Sequence, residues 1–538
     1  MPEYLTPGVY MEEFEIGARP IEGVSTSTAG FLGLAERGPT DAVKLVTSMD
    51  QYMRIYGGYT KDSYLAYAVE GFFGNGGQRC FIGRVVRDKA AKAELPLGNM
   101  KFIAVGEGDW GNRVGLRIEN ASLDPRNENP DDTKKLFKLI IAYWGKDKLP
   151  GDFKKPDGKD IDRAISDLLE TATGVEVWDN LSHNPKEPEY YLKKFGDPVN
   201  NLSFLIYLDK NSKDRPPNND DDNIFVPLKD GLDADGVPPG DLPEPEREDF
   251  LGKPDALPGQ KRGLTAFNDV DEISIVYVPD FHKVKIAGRE TLLNDILSHC
   301  EKLKDRFAIL DIEEGKSDIN LINITRQSKY GALYYPWIKA YDPLTKQQKS
   351  IPPGGHVAGI YARSDNERGV HKAPANEGVR GAVGLEFNIT KREQGLLNPR
   401  GINVIRSFTG RGIMVWGARN CIQDPLWKYI NVRRLFIYVE ESIEKGTQWV
   451  VFEPNDEKLW ARVKATITQF LTGVWRSGAL MGTKAEEAFF VKCDRSTMTQ
   501  DDIDNGRLIC VIGISPVKPA EFVIFRIAQW AGGSVATE

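Results

Sequence analysis

The run EFVIFRIAQW (residues 521–530) constrains this chain more than any other stretch. Read with period two, one face carries Val523, Phe525 and Ile527, and the other carries Phe522, Ile524, Ala528 and Trp530. Both faces are apolar, the pattern of a strand buried on both sides. Only AGGSVATE follows it, which has too little bulk to cover either face. A two-sided apolar strand beside a chain end is an aggregation hazard unless something pairs with it. Two readings stand: a last strand inside its own sheet, or a strand completed by another subunit through β-augmentation.

The other end of the chain has the same character. In LTPGVYMEEFEI (residues 5–16), Pro7 and Gly8 exclude a helix start, and Leu5, Val9, Met11, Phe14 and Ile16 set apolar positions among acids. Residues 18–23 read as a short flexible connection. Strands on tethers at both ends suit a subunit that links to copies of itself better than a compact monomeric enzyme.

The length of 538 residues implies about three or four domains. Hydrophobic residues at 41% and charged residues at 28% are ordinary for a soluble globular protein. A net charge of −8 argues against general nucleic-acid binding, which needs clustered Lys and Arg. The first residues are acidic and lack the apolar core of a signal peptide, and no apolar run approaches the ~20 residues of a membrane span. Assembly in the cytoplasm and no membrane insertion are expected. Cys80, Cys300, Cys421, Cys493 and Cys510 lie far apart with no CxxC, so they read as buried thiols in a reducing compartment.

The expected fold class is a multidomain α+β and α/β chain. Its parts are an arm and linker (1–23), the first part of a core (24–87), an outer variable β-rich insertion (88–265), an α/β domain (266–400), a C-terminal inner domain (401–520) and a terminal arm strand (521–538). In the first part, DSYLAYAVEGFF (62–73) has helical spacing and CFIGRVV (80–86) is a strand. The GNGGQR between them runs from helix to strand, the reverse of a phosphate loop, and is a turn. In the insertion, KFIAVGEGDWGNRVGLRIEN (101–120) reads as a strand pair around a Gly-rich turn, and LFKLIIAYWG (136–145) as another strand. Nine prolines then fall between Pro216 and Pro258. NNDDDN (218–223) evokes calcium, but the later ligand of an EF-hand loop is absent, so a solvated loop is expected.

From Val270 the pattern changes. EISIVYVPD (272–280), then Leu292, Leu293, Ile296, Leu297, Cys300 and Leu303 at helical spacing, then RFAILDI (306–312) make a βαβ unit with parallel strands. KYGALYYPWIKAY (329–341) reads as a third strand. The glycine fingerprint of a dinucleotide site is absent. Residues 351–386 read as loop, with His356, Arg363, Asp365, Arg368 and His371 among them. Nothing orders these as nucleophile, base and orienter, and no pair has metal-ligand spacing. A structural loop, an enzyme site around 351–377 and a binding site all remain open on residue type alone. A receptor-binding module using the acidic loops is a further alternative.

In the last third, Asp424 can cap a helix with Pro425 at its first position. Val432, Leu435, Phe436, Val439 and Ile443 form its apolar face, with Arg433 and Arg434 on the flank. A second helix starts at Asn455, with Asp456 and Glu457 in its first turn. Leu459, Val463, Ile467, Phe470 and Val474 form its stripe, widened by Trp460, Leu471 and Trp475. Strands follow at 488–493, 507–514 and 521–530, so two helices over an antiparallel sheet are expected.

Eight ordered motifs carry a family resemblance: YYPWIK (334–339), PPGGHVAGIYARSD (352–365), RGVHKAPANE (368–377), LNPRGINVIRSFTGRGIMVWGARN (397–420), WKYINVRRL (427–435), VFEPND (451–456), GALMG (478–482) and ISPVKPAEFVIFRIAQ (514–529). Over about residues 270–530 the chain resembles the tail sheath proteins of contractile phage tails and related injection systems. TPGVYMEE and the GDWGN at 108–112 fit the N-terminal part of that family, while 88–265 matches only loosely. The resemblance implies a structural subunit and no enzyme, with no cofactor and no metal. It implies copies stacked around an inner tube protein, with baseplate and terminator or cap proteins as further partners and no nucleic acid. Leu5, Val9, Met11, Phe14, Phe522, Ile524, Phe525 and Ile527 are then the expected inter-subunit strand residues. Ala18, Arg19 and Gly23 are the expected hinge. Arg433, Arg434, Lys458 and Arg462 are candidates for the tube-facing surface.

Overall fold

The computed structural model of the chain describes residues 20–122, 136–146, 153–156, 158–198, 200–220, 222–234, 242–253, 256–257 and 260–527. They divide into two compact units. The larger holds Gly23–Val370 and Pro374–Lys445, and the smaller holds the rest, chiefly residues 446–527.

The larger unit is built on a nine-stranded sheet among the described residues. In spatial order its strands are Glu377–Gly378, Gly412–Val415, Ile402–Phe408, Gly331–Tyr335, Phe307–Asp311, Ile275–Tyr277, Ala29–Leu34, Cys80–Val85 and Lys44–Val46. From Ile402–Phe408 to Cys80–Val85 every pairing is parallel. The expected βαβ unit is present: Ile275 is opposite Phe307, and the Ile286–Leu303 helix connects the two strands. That helix buries Leu292, Ile296, Leu297 and Cys300. The central strands are buried along their whole lengths, as two-faced apolar runs must be.

Four expectations are corrected. Residues 351–386 are not mainly loop, because Gly354–Arg368 is a helix with residues 354–364 all buried. A helix enclosed on every side has no polar face, so it carries no amphipathic period to read. The expected third strand is two: Gly331–Tyr335 lies in the large sheet, and Ile338–Asp342 pairs with Gln347–Ile351 and Gly384–Leu385. The break falls at Pro336, which has no N–H for a ladder. The strands of 101–120 do not pair with each other. Met100–Ala104 joins Glu94–Leu97 and Ile206–Leu208, whereas Val114–Asn120 joins Phe137–Tyr143 and Val226–Pro227. Between them the turn Asp109–Arg113 buries Trp110, whose Nε1 donates to the Glu107 carbonyl at 2.9 Å. Finally, Asp424 closes a turn by accepting from the Leu426 N–H at 2.8 Å, and the helix begins only at Ile430.

The Leu65–Gly74 and Gly354–Arg368 helices meet along a glycine seam. A Cβ at Gly355 would lie 2.4 Å from Ala68 Cα, and one at Gly71 would lie 2.3 Å from His356 Nδ1. Close approach of this kind leaves no space for any side chain larger than hydrogen. The helices Met49–Tyr56 and Ile161–Thr171 were not expected from sequence; both are capped by side chains, Ser48 and Asp160.

In the smaller unit the Glu457–Arg476 helix starts where expected, with Asp456 accepting from the Leu459 N–H at 2.8 Å. It packs on a two-stranded antiparallel pair, Phe489–Lys492 and Val511–Ile514. Phe470, expected in the core stripe, is only half-buried, and Thr466 is buried instead. All five cysteines are free, and four are buried. Among the described residues no helix is long and apolar enough to cross a membrane.

Candidate assembly interface

Residues 515–517 are tied into the smaller unit. The Ser515 N–H donates to the Ala488 carbonyl at 2.8 Å and the Val517 N–H to the Ala479 carbonyl at 3.1 Å. Beyond them, residues 522–527 lie in no strand among the described residues, which differs from the reading of a last strand inside its own sheet. Their apolar side chains face solvent: Phe522 is 72% exposed, Ile524 80%, Phe525 84% and Ile527 94%. A contiguous run of this kind marks an interaction surface. Trp530 lies outside the described residues.

The pair Phe489–Lys492 and Val511–Ile514 has an open edge on each side among the described residues. Phe489 and Val491 are buried, while Phe490 is 49% and Val511 43% exposed. A two-stranded ribbon with apolar side chains on its outer face has main-chain donors and acceptors free to take another strand.

The expected N-terminal residues Leu5, Val9, Met11, Phe14, Ala18 and Arg19 lie outside the described residues. Gly23 is described and lies close to Tyr438: a Cβ there would lie 2.2 Å from Tyr438 Oη. The next residues are held as well. The Val24 N–H donates to Ser442 Oγ at 3.1 Å, and Thr26 Oγ1 donates to Asp365 Oδ2 at 2.6 Å.

Arg433 and Arg434 are buried within the chain, which removes them as surface candidates. Arg434 donates to both oxygens of Asp365 and to the Thr26 carbonyl. Arg433 pairs with Glu440 and lies over the rings of Tyr330 and Trp427 at 4.8 and 5.0 Å. Two adjacent arginines on a helix flank read as solvated charge; the partner of Arg434, Asp365, lies too far along the chain to be visible. Lys458 and Arg462 are exposed, one turn apart on the Glu457–Arg476 helix. Arg462 reaches Glu453 at 3.1 Å.

The polar residues of 351–377 do not assemble as a catalytic set. His356 is 4% exposed against the glycine seam, and burial pulls its imidazole down to about 4. Arg363 holds the carbonyls of Asn75 and Gly378 at 3.1 and 2.9 Å. The crevice between Ala29–Leu34 and Ile275–Tyr277, where the crossovers of the sheet diverge, is the ordinary place for a ligand in such a fold. Here Asp280 fills it, accepting from the Leu34 N–H, Ser63 Oγ and the Tyr64 N–H at 2.7, 2.7 and 2.5 Å. Among the described residues no group of three or more His, Cys, Asp or Glu could hold a metal ion.

Residues 262–421 match the family described as phage tail sheath protein central domain, and residues 422–529 match the phage tail sheath C-terminal domain. The tail sheath protein of Salmonella phage ViI is 24% identical over 286 residues, covering 47% of this chain and 44% of that protein. The tail sheath protein of Burkholderia phage BcepMu is 28% identical over 258 residues, covering 44% of this chain and 53% of that protein. The chain thus spans about half the length of these curated relatives. In fold, it is similar to the sheath complex of an extracellular contractile injection system, PVC, in its contracted state. That similarity has a TM-score of 0.58 at 22% identity and covers 99% of both chains. The two matched domains, the relatives named as sheath proteins and the shared fold lead to one conclusion: the chain belongs to the tail sheath protein family.

Proposed function

We propose that the chain is the structural subunit of a contractile sheath, which polymerises around an inner tube and contracts to drive that tube through a target cell envelope. The observation that carries the reading is the exposed apolar run at 522–527, which lies in no strand among the described residues. In an assembly this run, with an N-terminal strand from residues 5–16, is added to the open edge of the 489–492/511–514 pair of a neighbouring copy. Each added strand contributes ~4–6 main-chain hydrogen bonds at ~1 kcal/mol net each. Burying its apolar side chains adds ~1.5–3 kcal/mol each.

The partners are further copies, the inner tube protein, and baseplate and terminator proteins, with assembly in the cytoplasm. Lys458 and Arg462 are the tube-facing candidates that remain. Because Gly23 is packed against Tyr438, the hinge is assigned to Ala18 and Arg19 ahead of it. The sheath assembles extended and metastable. On triggering, the folded bodies repack into a shorter, wider lattice while the arms stay paired, so no nucleotide is consumed.

Negative-stain electron microscopy of the purified chain, alone and with its tube protein, tests the reading. Wide, hollow, cross-striated tubes are expected. Discrete particles under both conditions would overturn it.

A further inference from the structure

Cys493 and Cys510 are two thiols that the fold brings together at one end of the smaller unit's strand pair. The register of Phe489–Lys492 against Val511–Ile514 sets Lys492 opposite Val511, and the same register places Cys493 opposite Cys510 one step further on. The two segments stay together beyond that step, because Thr497 Oγ1 donates to the Ile509 carbonyl at 2.8 Å. The two thiols are hydrogen-bonded to each other. Cys493 is 4% exposed, and Cys510 is half-buried.

Their place in the ladder decides what the pair can do. Opposed residues of an antiparallel pair alternate between hydrogen-bonded sites, with Cα atoms ~5.5 Å apart, and non-hydrogen-bonded sites, ~4.5 Å apart. The Ser515 N–H donates to the Ala488 carbonyl, which makes 488/515 a hydrogen-bonded site. By alternation 490/513 and 492/511 are of the same kind, and 493/510 is a non-hydrogen-bonded site. A Cα separation of ~4.5 Å lies within the ~4.4–6.8 Å that a disulfide spans. Opposed side chains also share one face of the ribbon, so the bond needs no movement of the backbone. Burial raises both thiols, Cys510 to about 12, while Lys464 on the Glu457–Arg476 helix works the other way. Protonated thiols are poor nucleophiles and metal ligands. What two of them in contact can readily become is a disulfide.

We propose that Cys493 and Cys510 form an oxidative modification site, which a low-molecular-weight disulfide converts to a cross-strand disulfide within one chain. Cys510, the more exposed of the two, gives up its proton and attacks one sulfur of the small disulfide. The S–S bond of that molecule breaks, and the thiolate that leaves takes up the proton. Cys493 then attacks the Cys510 sulfur of the mixed disulfide, between groups already in contact. The second small thiolate leaves with the Cys493 proton. Two protein thiols are oxidised, and one small disulfide is reduced to two thiols. The bond closes the 494–509 loop and fixes the end of the ribbon. Reducing surroundings keep it open. On the proposed reading that this ribbon receives a neighbour's strand, the bond stiffens the receiving edge once the particle has left such surroundings. The bond itself does not depend on that reading.

Treating the folded full chain with oxidised glutathione at about pH 8.5, then counting free thiols after denaturation, tests the proposal. The count should fall from five to three and return to five with dithiothreitol. Trypsin cuts after Arg495 and Arg507, so the two cysteines fall on separate peptides unless a bond joins them. Mass spectrometry without reductant should find those two peptides linked. The oxidised chain should melt several degrees above the reduced one, because the bond closes a loop of the unfolded chain. Cys510→Ser should keep all four of its thiols under the same treatment. Five thiols remaining in the wild type would overturn the proposal. So would glutathione left on Cys510 with no bridge, or a bond that joins two copies. Tubes absent in electron microscopy would count against the sheath reading alone, since the thiol count does not require assembly.

Discussion

Asp365 and Arg434 form an ion pair inside the larger unit, with Nη2 at 2.6 Å from Oδ2 and each side chain 3% exposed. The same two groups hold Thr26, whose hydroxyl donates to the carboxylate and whose carbonyl accepts from the guanidinium at 2.8 Å. The segment around Thr26 is therefore tied to two helices at once, Gly354–Arg368 and Ile430–Gly446.

Breaking the pair from one side leaves a buried charge without a partner. Arg434→Met should lower unfolding stability by about 3–5 kcal/mol. Replacing both residues by apolar ones should be less damaging than either single change. Urea denaturation of the two single variants and the double variant measures both effects.

Asp311 gives the unit a dependence on pH. Burial pushes its carboxyl up to about 7, against an ordinary value near 3.8, while the Tyr277 hydroxyl donates to Oδ2 at 2.5 Å. A raised folded value means that the folded state binds the proton more tightly than the unfolded chain. The resulting stability is full below about 3.9 and is lost as pH rises through about 7. Asp311→Asn does not titrate. The wild type should lose roughly 1–3 kcal/mol more than this variant between pH 5 and pH 8. Equal losses in urea titrations at the two pH values would contradict the assignment.

The glycine seam is intolerant of a methyl group. Gly355→Ala places Cβ 2.4 Å from Ala68 Cα and 2.5 Å from its carbonyl oxygen, both backbone atoms that cannot yield cheaply. A loss of about 1–3 kcal/mol or more is expected. Gly395→Ala, with nothing within 4 Å of the added Cβ, should be neutral or slightly stabilising. Thermal unfolding of the two variants side by side makes the comparison.

Inserting a few residues between Ala18 and Arg19 lengthens the proposed hinge ahead of Gly23. Such a variant should still assemble into tubes and should fail to contract when triggered. Contraction by the lengthened variant, seen by electron microscopy, would remove the hinge from these residues.

What was legible in the sequence was whatever repeats along the chain. The strands at Ile275 and Phe307 and the helix between them showed because apolar runs and a 3.6 spacing are local signals. The cap at Asp456 showed for the same reason. The Gly354–Arg368 helix did not, because Pro352, Pro353 and three glycines mimic a loop and no face is polar. Arg434 was misplaced on the surface, because what makes its burial tolerable is Asp365, 69 residues earlier. The exposed run at 522–527 was legible because its surplus of apolar faces is itself the signal. The N-terminal half of the expected strand set lies outside the described residues.

The central claim is that exposed apolar residues near the C-terminal end link copies of the chain. Sedimentation velocity of the wild type beside a chain ending at Ala520 tests it most directly. The account predicts very large assemblies for the wild type, and a folded monomer with an unchanged melting midpoint for the shortened chain. A shortened chain that sediments as the same assemblies would contradict it.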